Sequence, residues 1–280
     1  MEWTIKFLSE SDFKKHVTNT IENYGAKLVP YDVKKFNHNI IDPVKMIFDK
    51  AVYGVEWEQI ISNEIFRQRD KSNSNEIGYF HQKIFKYIDR CEVPDTGWDV
   101  IFEPKEGYQL DDKNTVHTIY TEVKNKHNTM NSSSSGKTYI KMQNQLLSDD
   151  DCVCMLVEAI AKQSQNIVWS TTLDGTKVSH TRIRRVSIDK FYELVTGEAD
   201  AFLQICRALP SVVKEVLESQ DSSVISPEDI VYKEIKSVAS DFEEVEENKA
   251  MILSMYMLGF STYNGFANIF KKKKNNDEKL

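Results

Sequence analysis

The chain has 280 residues, 40% of them apolar and 28% charged, with a formal net charge of −7. That length suits one large domain, or one domain with a helical appendage, and the composition is that of an ordinary soluble globular protein. The acidic balance argues against a protein coated with basic residues for holding nucleic acid. "AMILSMYMLGF" at 250–260 falls short of the roughly 20 apolar residues that span a bilayer, so no membrane partner is expected. No basic segment leads into an apolar core at the start, so a cytoplasmic protein with reduced thiols at Cys91, Cys152, Cys154 and Cys206 is expected. Neither a CxxC pair nor a His cluster has zinc spacing.

The first ninety residues read as helical. "SESD" at 9–12 resembles a capping box, with Gly25 as the stop. "DPVKMIFDKAVYG" places Asp42 ahead of a proline at the first helical position and ends at Gly54. Trp57, Ile60, Ile61, Ile65 and Gln68 follow helical spacing, with Glu64 inside that stripe. The polar run "DKSNSNE" reads as a loop before a further helix carrying Phe80, Ile84 and Ile88.

From residue 91 the pattern changes. "PDTGWDVIFEP" reads as a turn entering a short strand, and "NTVHTIYTEVK" as a second, β-rich strand. A serine-rich loop then precedes a helix in "KTYIKMQNQLL", with Ser132–Ser135 expected to be flexible. "CVCMLVEAI" suits a central strand covered on both faces, followed by a strand in "NIVWSTT". Strand, helix and strand across 116–160 predict a parallel crossover. "SIDKFYELVTG", 198–218 and a segment opening at Ser226-Pro227 read as helices, and the basic tail "KKKKNNDEKL" as frayed. The expected fold is α/β, a small mixed central sheet flanked by helices with helical N- and C-terminal parts. Residues 1–220 form the main domain: helices over 1–90, an α/β core over 91–190 and helices over 191–220. Residues 221–280 form a C-terminal helical segment.

Two stretches carry a local positive charge on this acidic chain. Lys124 to Ser148 holds four lysines and no acid, and Gly175 to Ile188 holds Lys177, Arg182, Arg184 and Arg185 with none. Such stretches suit a polyanion locally, or solvated faces.

Side chains alternate along a strand, so Glu122 and Lys124 share a face that Val123 does not. Asp99 begins the preceding strand; a hairpin through the 104–114 loop would bring it to Glu122. Two carboxylates with a backbone carbonyl, that of Val123, make a hard oxygen site suited to Mg²⁺. A lysine on the same face can orient or deprotonate a water, or steady charge on a phosphate. Those are the requirements of phosphodiester hydrolysis.

This set looks like the PD-(D/E)xK nuclease motif. "PDTGWDV" supplies the first acid and "EVK" the acid–x–lysine. Pro94-Asp95 is the literal dipeptide, but Asp95 falls in the turn while Asp99 enters the strand, which favours Asp99. "GWDVIFEP", "YTEVKNKHNTMNSSSSGKTYIKMQ" and "RRVSIDKFYELVTGEADAFLQICRALP" resemble the small family of type II restriction endonucleases that cut at GGNCC. The likeness covers roughly 55–220. It implies a Mg²⁺-dependent endonuclease acting on double-stranded DNA, a homodimer on a palindromic site, and a cognate DNA methyltransferase as genetic partner. Carried over, Asp99 and Glu122 become metal ligands and Lys124 the catalytic lysine. Glu64 is a lesser ligand candidate, because an acid within an apolar stripe needs a partner and nucleases of this fold often bring a carboxylate from an early helix. Lys126, Lys137 and Lys141 suit phosphates; Asn125, Asn128, Asn131 and Gln143 suit base edges; Arg182 and Arg184 suit guanines.

Two alternatives compete. Asn131 to Thr138 matches a phosphate-binding loop ending in Gly136-Lys137-Thr138, except that Asn replaces the first glycine, which the tight turn requires. A DNA-binding module with a vestigial centre is the other; the intact Asp99, Glu122 and Lys124 speak against it.

Overall fold

The structure is a computed structural model that describes residues 3–25, 29–111, 113–127, 130–219, 229–240, 242 and 246–260. Residues 1–23 and 74–223 form one compact unit, and residues 24–73 and 224–280 a second.

In the first unit, helix α1 (Glu10–Gly25) is capped by Ser9, whose Oγ accepts the Asp12 N–H at 3.1 Å, as "SESD" predicts. Six strands form one mixed sheet: β1 (Cys91–Glu92), β2 (Val100–Phe102), β5 (Thr118–Lys126), β6 (Cys152–Ile160), β7 (Asn166–Leu173) and β8 (Thr176–Ser187). Their order is β1-β2-β5-β6-β8-β7, while β3 (Tyr108–Gln109) and β4 (Thr115–Val116) make a separate small hairpin between β2 and β5. β2 pairs antiparallel with β5, and β5 parallel with β6 through helix α5 (Ser132–Ser148). The predicted hairpin and the parallel crossover are both present.

β6 is buried on both faces, as its unbroken apolar run requires. Val153, Met155 and Val157 face a core shared with α1, α6 (Ile188–Thr196) and α7 (Ala201–Ser219). Cys152, Cys154 and Leu156 face Tyr139, Met142 and Leu146 of α5. Full burial of those three α5 side chains contributes on the order of 2 kcal/mol each, which fixes α5 firmly to the sheet.

The second unit gathers α2 (Val33–Asn37), α3 (Pro43–Tyr53), α8 (Val231–Ser240) and α9 (Glu247–Phe260). Asp42 accepts the Val44 and Lys45 N–H groups, Pro43 opens α3, and Gly54 closes it in the left-handed conformation, as read from sequence. Residues 24–73, read with the main domain, instead group with the C-terminal segment. The reason is a separate apolar cluster that joins Phe36, Trp57 and Ile61 to Val231, Ile235 and Met255. Ser226-Pro227 and the basic tail lie outside the described residues.

Two local readings are corrected. "DKSNSNE" is no loop: α4 (Trp57–Lys83) runs unbroken for 27 residues. Asp, Ser and Asn cost a helix only tenths of a kcal/mol each, and no proline or glycine interrupts 70–76. Ser132–Ser135 is not a flexible segment either but the first turn of α5, because Asn131 Oδ1 accepts the Ser134 N–H at 2.8 Å as an N-cap. This also removes the phosphate-loop reading. The Ser135 N–H is committed to the Asn131 carbonyl at 2.9 Å, so the amides form a helix and not a cradle. Gly136 serves packing: a Cβ there would stand 3.1 Å from Leu173 of β7.

Candidate active site

The β2–β5 register pairs Val100 with Thr121, which sets Asp99 opposite Glu122 at the end of β2. The Asp99 N–H donates to the Thr121 carbonyl at 3.0 Å, and Asp99 Oδ2 accepts the Val123 N–H at 2.7 Å. The N–H and C=O of one strand residue point to the same side, so the Val123 carbonyl is directed to the side of Asp99 as well. Burial, and then the neighbouring Glu122 charge, raise the Asp99 pKa above the usual carboxylate range. The Val123 N–H and the Lys124 and Lys141 ammonium groups oppose that rise.

Glu122 is only 9% exposed and holds two lysines. Lys124 Nζ donates to its Oε2 at 3.3 Å, and Lys141 of α5 donates to its Oε1. Lys141 also donates to the Gly97 carbonyl at 2.5 Å and lies 4.1 Å from the centre of the Trp98 ring. Trp98 is steadied by an indole N–H bond to Gln145 Oε1 at 3.1 Å.

No group of three or more His, Cys, Asp or Glu that could hold a metal ion occurs among the described residues. The donors at hand are two carboxylates and a carbonyl. They still fit a hard cation, which commonly takes one or two carboxylates and completes its shell with water and substrate oxygens. Two like charges held together with Asp99 reluctant to ionise are what a divalent ion would relieve. A cleft of about 720 Å³ opens beside this pair, lined by Tyr79, Lys83, Lys86, Asp95, Trp98 and Asp99. Asp95, the literal partner of Pro94, is exposed in the turn at its rim. Trp98 also lines a recess of about 440 Å³ bordered by Lys137, Ile140, Lys141 and Asn144.

The other predicted residues are spread more widely. Lys126 is exposed at the end of β5, on the face of Lys124. Asn125 points to the opposite face, where its Oδ1 is buried without a hydrogen bond among the described residues. Asn131 is engaged as the α5 cap, Gln143 is half-buried on α5, and Asn128 lies outside the described residues. Arg182 donates to the Asp150 carbonyl at 2.6 Å, and Arg184 to Asn166 of β7 at 2.5 and 2.7 Å. Both guanidinium groups therefore brace the sheet. Glu64 lies in the second unit, bound by Arg67 at 2.6 and 2.7 Å and by Gln68 at 3.1 Å. That partner satisfies the need its apolar setting creates.

One cluster was not anticipated. Glu158 of β6 is fully buried, aligned with Lys124 on the same face, and bound by Arg185 of β8 and by His127 Nδ1 at 3.0 Å. Arg185 also donates to the His127 carbonyl at 3.0 Å, so the cluster holds the segment that follows β5. A buried acid in "CMLVEAI" was a usable signal, since such a charge demands a partner. Lys83 and Lys86 were missed because nothing in a helical pattern places them beside a turn near residue 95.

A mixed α/β protein with paired carboxylates and a lysine at the end of a central strand is consistent with a restriction endonuclease. The chain belongs to the Eco47II restriction endonuclease family, whose model matches residues 5–218, and is a type II restriction enzyme. It is 29% identical over 224 residues to the type II restriction enzyme Sau96I of Staphylococcus aureus, covering 77% of this chain and 82% of that one. It is 28% identical over 228 residues to the type II restriction enzyme Eco47II of Escherichia coli, covering 77% of this chain and 89% of that one. No helix among the described residues is long and apolar enough to cross a membrane.

Proposed function

We propose that the protein is a Mg²⁺-dependent endonuclease of the PD-(D/E)xK type that cuts double-stranded DNA at a short palindrome, GGNCC. The observation that carries this reading is the strand register that sets Asp99 opposite Glu122 with Lys124 on the same face. Asp99, Glu122 and the Val123 carbonyl would hold the ion, which supplies Lewis-acid neutralisation of charge on the scissile phosphate. Lys124 orients the attacking water and steadies negative charge as the new bond to phosphorus forms and the bond to a sugar oxygen breaks. Lys137, Lys126, Lys83 and Lys86 hold phosphates flanking the cut. A palindromic site favours a two-fold homodimer, and a cognate methyltransferase would protect host DNA in the same cytoplasm. The family match over 5–218 supports a nuclease part that ends near 220. Glu64 has no role here, its carboxylate being committed to Arg67.

Digesting a plasmid of known sequence with Mg²⁺ and no nucleotide, then mapping the ends, tests the reading. Cuts confined to GGNCC are expected. Asp99→Ala, Glu122→Ala and Lys124→Ala should each slow cleavage by about 10³-fold or more while DNA binding persists. Wild-type rates in any of the three would remove the assigned centre.

A further inference from the structure

Glu122 has one lysine more than the chemistry above uses. Lys124 is supplied by Glu122's own strand, whereas Lys141 reaches across from α5. The Lys141 ammonium has three anchors: the Glu122 carboxylate, the Gly97 carbonyl and the face of Trp98. All three attract a cation, so the spot between the Gly97 turn and Glu122 is built to hold positive charge. The helix beneath is fixed by Tyr139 and Met142, both fully buried, but a four-carbon stem leaves the ammonium free to swing.

We propose that Lys141 is a resident counter-cation that occupies Glu122 until DNA and a divalent ion arrive together. This rests on the reading that Asp99 and Glu122 hold the ion. Glu122 Oε1 is taken by Lys141, Oε2 by Lys124, and Asp99 Oδ2 by the Val123 N–H. Two negative charges already face two positive ones. A divalent ion entering that balanced, half-buried group would leave an excess of positive charge unless one ammonium departs. Lys141 is the one able to leave, because the recess it borders also carries Lys137 and Asn144 and offers a route toward a bound phosphate. DNA that draws Lys141 off Glu122 opens the ion site, and by reciprocity the ion strengthens DNA binding. Without DNA, the lysine keeps the ion affinity low. Lys141 is thus a positioning residue that acts through Glu122.

The test reads ion binding directly, through Tb³⁺ luminescence sensitised by the adjacent Trp98, in the full chain without DNA. Lys141→Met keeps the stem and removes the charge; it should bind Tb³⁺ at least tenfold more tightly than wild type, while Lys141→Arg and Lys137→Met stay near wild type. Adding a short duplex containing GGNCC should tighten Tb³⁺ binding in wild type and do so far less in Lys141→Met. Equal or weaker binding by Lys141→Met, with Asp99→Asn still lowering affinity in both backgrounds, overturns this inference and spares the metal centre. Binding that ignores Asp99→Asn overturns both.

Discussion

Removing Arg185 gives the sharpest stability prediction, because it strips a fully buried carboxylate of its main partner. The Glu158 side chain is 1% exposed and that of Arg185 20%, so solvent screens their pairing little. Arg185→Met keeps most of the apolar stem but leaves Glu158 with His127 alone. Breaking a buried pair from one side costs about 3–5 kcal/mol. For a unit of this size each kcal/mol lowers the melting temperature by about 2–4 °C, so a fall of roughly 6–20 °C is expected. Urea and thermal unfolding followed by tryptophan fluorescence suit the purpose, since Trp3, Trp98 and Trp169 lie in the unit that contains the sheet. The double variant Arg185→Met with Glu158→Leu removes both charges and should recover most of the loss, because an apolar pair can replace a buried ion pair at little cost. A single variant within about 1 kcal/mol of wild type, or a double no better than the single, would refute the reasoning.

Acid should weaken the fold through buried His16 and half-buried His81. Burial lowers His16 and His81 to about 4, so each favours the folded state fully above its ordinary pKa near 6.5. That stability drains away as pH falls from 6.5 toward 4, by roughly 3 kcal/mol per histidine; unfolding free energies measured across this range should slope accordingly, and His16→Gln with His81→Gln should flatten the slope. Lys137→Ala should weaken DNA binding and reduce the dependence of log K on log salt by about one unit, as loss of one phosphate contact requires. Gly136→Val should destabilise, because α5 cannot keep its approach to Leu173; an unchanged urea midpoint would contradict this.

The parts of the fold written in short-range chemistry were legible. Asp42, Pro43 and Gly54 bound α3 because caps act over three or four residues, and β6 showed its double burial in an unbroken apolar run. What failed was propensity read without context. Serine and asparagine in 70–76 and 132–135 looked like loops, yet each costs little in a helix, and Asn131 supplied a cap that made the second stretch helical. "LDGT" at 173–176 was an available sign of a hairpin, with Asp174 and Gly175 both at positive φ, and it would have revealed β8 (Thr176–Ser187), a strand the sequence reading took only as a basic stretch. The Asp99, Glu122 and Lys124 set was readable because strand alternation and a hairpin suffice to assemble it. Glu158, Arg185 and His127 were not, since only the parallel registers of β5, β6 and β8 bring them together. The surroundings of the basic residues were hidden for a different reason. Charge alone did not distinguish Arg182 and Arg184, which brace backbone and Asn166, from lysines beside the cleft.

The proposed function depends on a divalent ion held by Asp99 and Glu122. Crystals of the protein with a GGNCC duplex and Mn²⁺, measured at the manganese edge, would locate that ion by its anomalous scattering. A peak bridging Asp99 and Glu122 at roughly 2.0–2.2 Å from an oxygen of each is the expected result. A peak bound elsewhere, or none at that pair while the DNA is cut in the crystal, would contradict the account.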